Sequence, residues 1–223
     1  INTDWFKELI RNNLYQKHNV SIRGGSEQTT YYISANYTKQ GGRLPGNDKQ
    51  RMSLRMNLDQ KLGHIGYALL SVNGGYAKTN TPNGSTSDPT QLVYELNPYE
   101  TKDGGELISY PGRTYKDLMN QFSQESAAKT AGISGSLTLN PLPGLDIAAV
   151  AGLDFLLDET EQFTPSTSYS EMTSGIPELK RGIFAKSKNT TTNISTNIRA
   201  TYNHVFALSL IHISEPTRQA EIS

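Results

Sequence analysis

The sequence predicts an all-β fold, an antiparallel sheet whose strands form the wall of a transmembrane β-barrel. Three observations predict it. In Arg51 to Leu58, RMSLRMNL, apolar and polar residues alternate without a slip, so Met52, Leu54, Met56 and Leu58 share one face of a strand while Ser53, Arg55 and Asn57 share the other. The same alternation recurs along the chain, and several segments sustain it for nine or more residues, longer than the usual soluble strand of about 5 or 6 and close to the roughly 9 to 11 that span a bilayer. Finally, connections between these segments alternate short and long, as they do when tight turns occupy one rim of a membrane barrel and long loops the other.

Composition sets the outer bounds. The 223 residues are 35% hydrophobic with mean hydropathy -0.54. No apolar run reaches the ~18 residues of a transmembrane helix, whereas barrel strands need only every second residue apolar. Lysine plus arginine equals aspartate plus glutamate at 21 each, which provides no basic field for nucleic acid. The absence of cysteine excludes a disulfide scaffold and thiolate chemistry. The chain opens on Ile1 without an initiator methionine or signal peptide and reads as a piece of a longer protein.

Taken in order, Ile1 to Lys17 is a loop or short helix, capped by Asn2 or Thr3, with Trp5, Leu9 and Ile10 as its apolar stripe. The first strand, His18 to Gly24, sets Val20 and Ile22 against Ser21 and Arg23. After the turn GGSEQTT, the second places Tyr31, Ile33, Ala35 and Tyr37 outward, with Tyr32, Ser34, Asn36 and Thr38 behind them. Tyr31 and Tyr37 bracket an apolar centre, which suits the aromatic girdle of a membrane barrel and equally an ordinary strand. A polar loop, Lys39 to Gln50, precedes the RMSLRMNL strand. A short turn at Lys61 to His64 then leads to a fourth strand carrying Ala68, Leu70, Val72, Gly74 and Tyr76.

From Lys78 to Ala128 the alternation is lost among prolines 82, 89, 98 and 111, which predicts a long loop with a short helix in YKDLMNQFSQ. The fifth strand presents Ala131, Ile133, Gly135, Leu137 and Leu139, and NPLPG turns into a sixth. There Leu145, Ile147, Ala149, Ala151, Leu153, Phe155 and Leu157 oppose Asp146, Asp154 and Asp158. A second long loop covers Glu159 to Asn189. The seventh strand shows Ile194, Thr196, Ile198, Ala200 and Tyr202 against Ser195, Asn197, Arg199 and Thr201.

Across these strands no charge falls on the apolar face, so Tyr31, Ile33, Tyr37, Met52, Leu54, Met56, Leu58, Leu153 and Phe155 are expected to meet lipid. Arg23, Asn36, Arg55, Asn57, Asp146, Asp154 and Arg199 are expected to face the lumen. A soluble sandwich core would exclude charge as well; strand length and loop alternation favour the barrel.

Catalytic signatures are absent. No nucleophile elbow, Walker loop or zincin motif occurs, and His18, His64, His204 and His212 lack metal-ligand spacing, so neither an enzyme nor a cofactor is expected. Asp146 and Asp154 lie about 26 Å apart along a strand, too far for a glycosidase pair at about 5 to 9.5 Å.

At this point NTDWFKELIRNNLYQKHNVSIRGGSEQTTYYISANYTKQGG followed by RMSLRMNL resembles the SusC/RagA-type TonB-dependent transporters. The matching features are Asn2-Thr3-Asp4-Trp5, His18-Asn19, Gly24-Gly25, Tyr31-Tyr32, Arg51 with Arg55 and Asn57, Asn97-Pro98, and Thr201-Tyr202-Asn203-His204. The resemblance covers about residues 1–207 and implies about seven strands of a barrel of about 22, in the outer membrane of a bacterium. It further implies a plug and TonB box elsewhere in the complete protein, coupling to TonB, a SusD-like surface lipoprotein as lid, and import of glycans or peptides. The contrasting expectation is a non-transporting β-structured surface binding protein or adhesin. Leu208 to Ser223, LSLIHISEPTRQAEIS, has no counterpart in that family and resembles the in-frame translation of a sequencing adaptor. Its segment ALSLIHIS also has the composition of a strand ended at Glu215-Pro216.

Overall fold

A computed structural model describes residues 2–44, 46–82, 89–119, 123–206 and 209–216. Its strands make one antiparallel sheet in which each pairs with the next in sequence, and the sheet does not close. The strands are β1 (Tyr15–Gly25), β2 (Thr29–Gly41), β3 (Asp48–Lys61), β4 (Gly66–Thr81), β5 (Ser123–Leu142), β6 (Leu145–Thr164), β7 (Ile183–Phe206) and β8 (Ser209–Pro216). All seven expected strands are present, and Ser209–Pro216 adds an eighth by pairing with Arg199–Phe206.

Several boundaries differ from expectation, in a consistent direction. β1 begins at Tyr15 rather than His18, β2 and β3 leave a connection of only residues 42–47, β4 runs to Thr81 and β5 starts at Ser123. The loop expected over Lys78 to Ala128 is therefore shorter at both ends, and the one expected over Glu159 to Asn189 shrinks to residues 165–182. Near these ends the outward positions carry Lys, Glu or Asn, so the hydropathy contrast that marks a half-buried strand fades while the backbone ladder continues. β6, at 20 residues, extends about 66 Å.

The long connection after β4 is not an open loop. It contains α2 (Pro89–Glu95) and α3 (Tyr115–Met119), and both pack with α1 (Trp5–Leu9) from the start of the chain. Leu9, Leu92, Leu96, Leu107 and Leu118 surround Trp5, which is 3% exposed. The Trp5 ring stacks on Tyr115 with centroids 5.7 Å apart, and its Nε1–H donates to the Asn97 carbonyl at 2.9 Å. Glu100 ties the same turn: its carboxylate accepts from the backbone N–H of Asn97 at 3.0 Å and of Ser109 at 2.8 Å.

The α1 cap is Asp4, whose side chain accepts from Lys7 N–H, in place of the expected Asn2 or Thr3. Thr3 is committed elsewhere, its backbone N–H donating to the Pro98 carbonyl at 2.7 Å. The helix expected over YKDLMNQFSQ covers only Tyr115–Met119; residues 120–122 lie outside the described residues and Ser123 already belongs to β5. A reciprocal capping pair starts it: the Asp117 carboxylate accepts from Thr114 N–H at 2.8 Å, and the Thr114 hydroxyl accepts from Asp117 N–H at 3.3 Å.

The two rims differ as the alternation of connections requires. One carries the turns 26–28, 62–65 and 143–144; Gly144 there has φ +84°, and a Cβ on it would meet the Asn203 carbonyl oxygen. The opposite rim carries the long connections together with α1. Arg11 binds Asp48 at 3.2 Å there, and the Asn13 side-chain amide donates to the Gly42 carbonyl at 2.9 Å.

Candidate membrane wall and inner face

Directly opposed residues of antiparallel strands share a face, so the register assigns every side chain to one side of the sheet. One row runs Ile22–Ile33–Met56–Val72–Ile133–Leu153–Ile194 across seven strands. The next outward-rim row on that face is Val20–Ala35–Leu54–Gly74–Ala131–Phe155–Thr192. Leu54 and Ile194 are each 54% exposed, so these side chains stand on the sheet surface rather than in a closed core. Tyr31 and Leu58 are opposed, as are Tyr37 and Met52. All nine residues expected on the apolar side therefore share one face.

The lower edge of that face is oblique. On β2 and β3 it ends at Tyr31–Leu58, but on β6 and β7 it continues to Leu145 and Tyr202, six residues past the same row. Six residues along a strand are about 20 Å, and five strand spacings are about 24 Å. A horizontal boundary crossing the sheet at that slope requires strands tilted by roughly 40°, within the ~35–45° range of membrane barrels. On β6 the stretch from Leu145 to Leu157 covers about 40 Å along the strand, hence about 30 Å of vertical height, enough for a bilayer core.

Above the apolar belt the same face turns ionic. Lys78 bonds Glu125 at 2.7 Å, Glu159 bonds Lys129 at 3.2 Å and Lys188 at 3.7 Å, and Lys186 bonds Glu161 at 3.2 Å. Lys129 corrects the expectation of a charge-free face: it opposes Tyr76 and Leu157 and so has the parity of the apolar residues. It lies at the upper edge of the belt, and its ammonium reaches up to Glu159. Long amphipathic side chains behave this way at an interface. The expected strand stopped short of it, at Ala131.

The opposite face is polar. Ser21–Ser34–Arg55–Asn73–Gly132–Asp154–Asn193 forms one row and Arg23–Tyr32–Asn57–Ser71–Ser134–Gly152–Ser195 another. Asn36 opposes Ser53, Arg199 opposes Ala148, and Asp146 opposes Thr201. The seven residues expected on the polar side thus share one face, spread over its height rather than gathered at one point. Asn57 accepts from the Ser71 hydroxyl at 2.8 Å, and Asn140 donates to Asp146. A Cβ on Gly132 would stand 2.5 Å from an Asp154 oxygen and 2.7 Å from the Asn73 amide nitrogen, so glycine is what lets those side chains approach over β5.

Two features of this face carried too little contrast to stand out in sequence. Leu69, Ser136 and Val150 form an opposed row that places two aliphatic side chains on the polar side toward the short-turn rim. Nearer the long-loop rim, a basin of about 680 Å³ is lined by Tyr32, Asn36, Lys49, Arg51, Arg55 and Asn73 among others. Among the described residues no group of His, Cys, Asp or Glu is arranged to hold a metal ion.

Comparison with known proteins agrees with this geometry. No protein-family model matches the chain. TonB-dependent receptor SusC of Bacteroides thetaiotaomicron is 30% identical over 112 residues, 46% of this chain and 11% of the receptor. TonB-dependent receptor P3 of Formosa agariphila is 25% identical over 218 residues, 92% of this chain and 21% of that receptor. Among solved structures, the RagAB peptide importer in its closed-closed state aligns over 92% of this chain and 24% of that one, with a TM-score of 0.70 at 20% identity. The open-open state gives 0.69 over 91% and 23%. The chain therefore spans about a quarter or less of the relatives it matches, and it has the fold of a piece of their barrel wall. It is similar to the SusC/RagA-type TonB-dependent receptors.

Proposed function

We propose that this chain is part of the wall of a TonB-dependent outer-membrane transporter that imports glycans or peptides. The observation that carries the reading is the apolar row unbroken across seven strands, with an oblique lower edge and an ionic collar above. A wall between lipid and water needs that division; a soluble sandwich would cover one face with a second sheet. In this reading Tyr31, Ile33, Tyr37, Met52, Leu54, Met56, Leu58, Leu153 and Phe155 meet lipid, and Arg23, Asn36, Arg55, Asn57, Asp146, Asp154 and Arg199 line the lumen. The short turns are periplasmic. The rim with α1, α2 and α3 is extracellular, where a SusD-like lipoprotein would dock, while TonB acts through a region outside this chain.

In the same reading residues 1–17 are the approach to the barrel, 18–207 the wall, and 208–223 a non-native tail. An exposed strand edge accepts any segment able to extend, so the pairing of β8 with β7 is compatible with an adaptor-derived origin. Independent resequencing of the locus tests the tail, and a native codon run would overturn that part. For the whole, the full-length gene should restore uptake of an oligosaccharide or peptide to a deletion strain only when the proton-motive force is intact. Uptake that persists unchanged in the deletion strain, or that ignores an uncoupler, would contradict the transport reading.

A further inference from the structure

The basin on the polar face holds a concentration of positive charge that the fold leaves unbalanced. Lys49, Arg51 and Arg55 follow one another on the same side of β3, with only Ser53 between the two arginines. Successive same-face positions are about 6.6 Å apart, so the three cations repel one another. All three are exposed, and among the described residues none forms a salt bridge. Their cross-strand neighbours are neutral: Gln40 and Thr79 flank Lys49, Thr38 and Ala77 flank Arg51, and Ser34 and Asn73 flank Arg55. Of the acids level with them, Asp158 stands three strands away from Arg51, about 14 Å and beyond a screening length at physiological salt. The Asp154 carboxylate instead leans back over Gly132 toward the Asn73 amide, leaving one acid on the far side of Asn73 from Arg55 against three cations. Asp48, next to Lys49 in sequence, points to the other face and is bound by Arg11.

We infer that this basin is an anion subsite, taking a carboxylate or sulfate. Guanidinium groups pair bidentately with such oxyanions, and the Asn36 and Asn73 amides and the Tyr32 hydroxyl supply neutral donors around the same space. The inference rests on the lumen reading of the polar face. The anion has two possible carriers, an acidic solute in passage or an acidic side chain of a plug segment filling the lumen, and both present the same chemistry to β3.

The test uses the full-length transporter that contains this segment, purified in detergent, with the double variant Arg51→Gln/Arg55→Gln and the charge-keeping variant Arg51→Lys/Arg55→Lys. Heat-modifiable migration on gels verifies that each is folded. Calorimetric titration with trigalacturonate and triglutamate, against maltotriose as a neutral probe, reads the solute arm. Tenfold or greater loss of acidic-probe affinity in the glutamine variant, partial rescue by lysine, and no change for maltotriose assign the site to solute. A lowered melting temperature and faster protease release of the plug in the glutamine variant without any probe assign it to the plug. If the glutamine variant alters neither property, the anion subsite is overturned. Ser53→Cys in a cysteine-free background separates that outcome from failure of the lumen reading. Labelling of this residue by a lipid-soluble but not a water-soluble maleimide would remove the lumen face itself, and the subsite with it.

Discussion

Replacing Trp5 by alanine should open the rim subdomain without disturbing the sheet. The indole is almost wholly enclosed by Leu9, Leu92, Leu96, Leu107 and Leu118, and stacks on Tyr115. Truncating a buried tryptophan costs about 3 to 5 kcal/mol, and losing its hydrogen bond to the Asn97 carbonyl falls within that figure rather than adding to it. Few side chains hold this cluster together: among the described residues it has six buried apolar ones, drawn from two separate parts of the chain. A loss of that size removes most of what a unit so small can hold. Hydrogen exchange on the full-length protein in detergent reads it directly. The Leu107 and Leu118 amides, bonded to the Arg113 and Thr114 carbonyls, should exchange about a hundred- to a thousandfold faster. Ladder amides on β3 should keep their protection. Trp5→Phe, which keeps an aromatic ring against Tyr115, should give a smaller acceleration. Unchanged exchange at Leu107 and Leu118 in Trp5→Ala would refute the reasoning, and so would an equal rise along β3.

Three further outcomes follow from particular residues. Met56→Lys should lower the yield of folded transporter in the membrane by an amount matching about 2 to 4 kcal/mol, while Asn57→Lys, one residue on and across the sheet, should cost little; heat-modifiable gel migration compares them. Gly132→Val places a branched side chain where Asp154 and Asn73 already meet, and should destabilise the barrel, with Gly132→Ala milder and thermal denaturation in detergent as the measure. Hydrogen bonds from Thr114 hold the Asp117 carboxyl below its ordinary range. Its contribution to the α3 cap is therefore full above the unfolded carboxylate pKa and is lost as pH falls through the lower folded value. Acid-induced exposure of α3, followed by exchange at Leu118, should begin below about pH 4, whereas in Asp117→Ala the faster exchange should already be present at neutral pH and show no such acid onset.

The parts of the fold legible in sequence are those where the two faces of the sheet differ in polarity. Met52 to Leu58 alternate between an apolar and a polar face of the sheet, and the register gives the parity of each residue there. The extensions Lys78–Thr81, Ser123–Thr130 and Asp158–Thr164 lie where both faces are polar, so a continuing ladder leaves no mark in hydropathy. Their order is written instead in cross-strand ion pairs such as Lys129 with Glu159, which are visible only once the register is known. The rim subdomain was half legible. Trp5 and Leu9 carried a helical stripe, and Leu92 with Leu96 had the same spacing, but their pairing across more than eighty residues of chain had no local signal. The cationic basin escaped notice because Arg51 and Arg55 belong to an ordinary strand pattern; what distinguishes them is the absence of acid on the neighbouring strands.

The central claim is that the sheet separates lipid from water, and it is tested most directly by single spin labels at each position from Arg51 to Asp59 in the full-length, reconstituted transporter. Accessibility to dissolved oxygen and to a water-soluble nickel complex should alternate with period two. Labels at 52, 54, 56 and 58 should favour oxygen, with the greatest contrast near Met56, and those at 51, 53, 55, 57 and 59 should not. Loss of the alternation, or its inversion so that Arg55 and Asn57 meet lipid, would contradict the account.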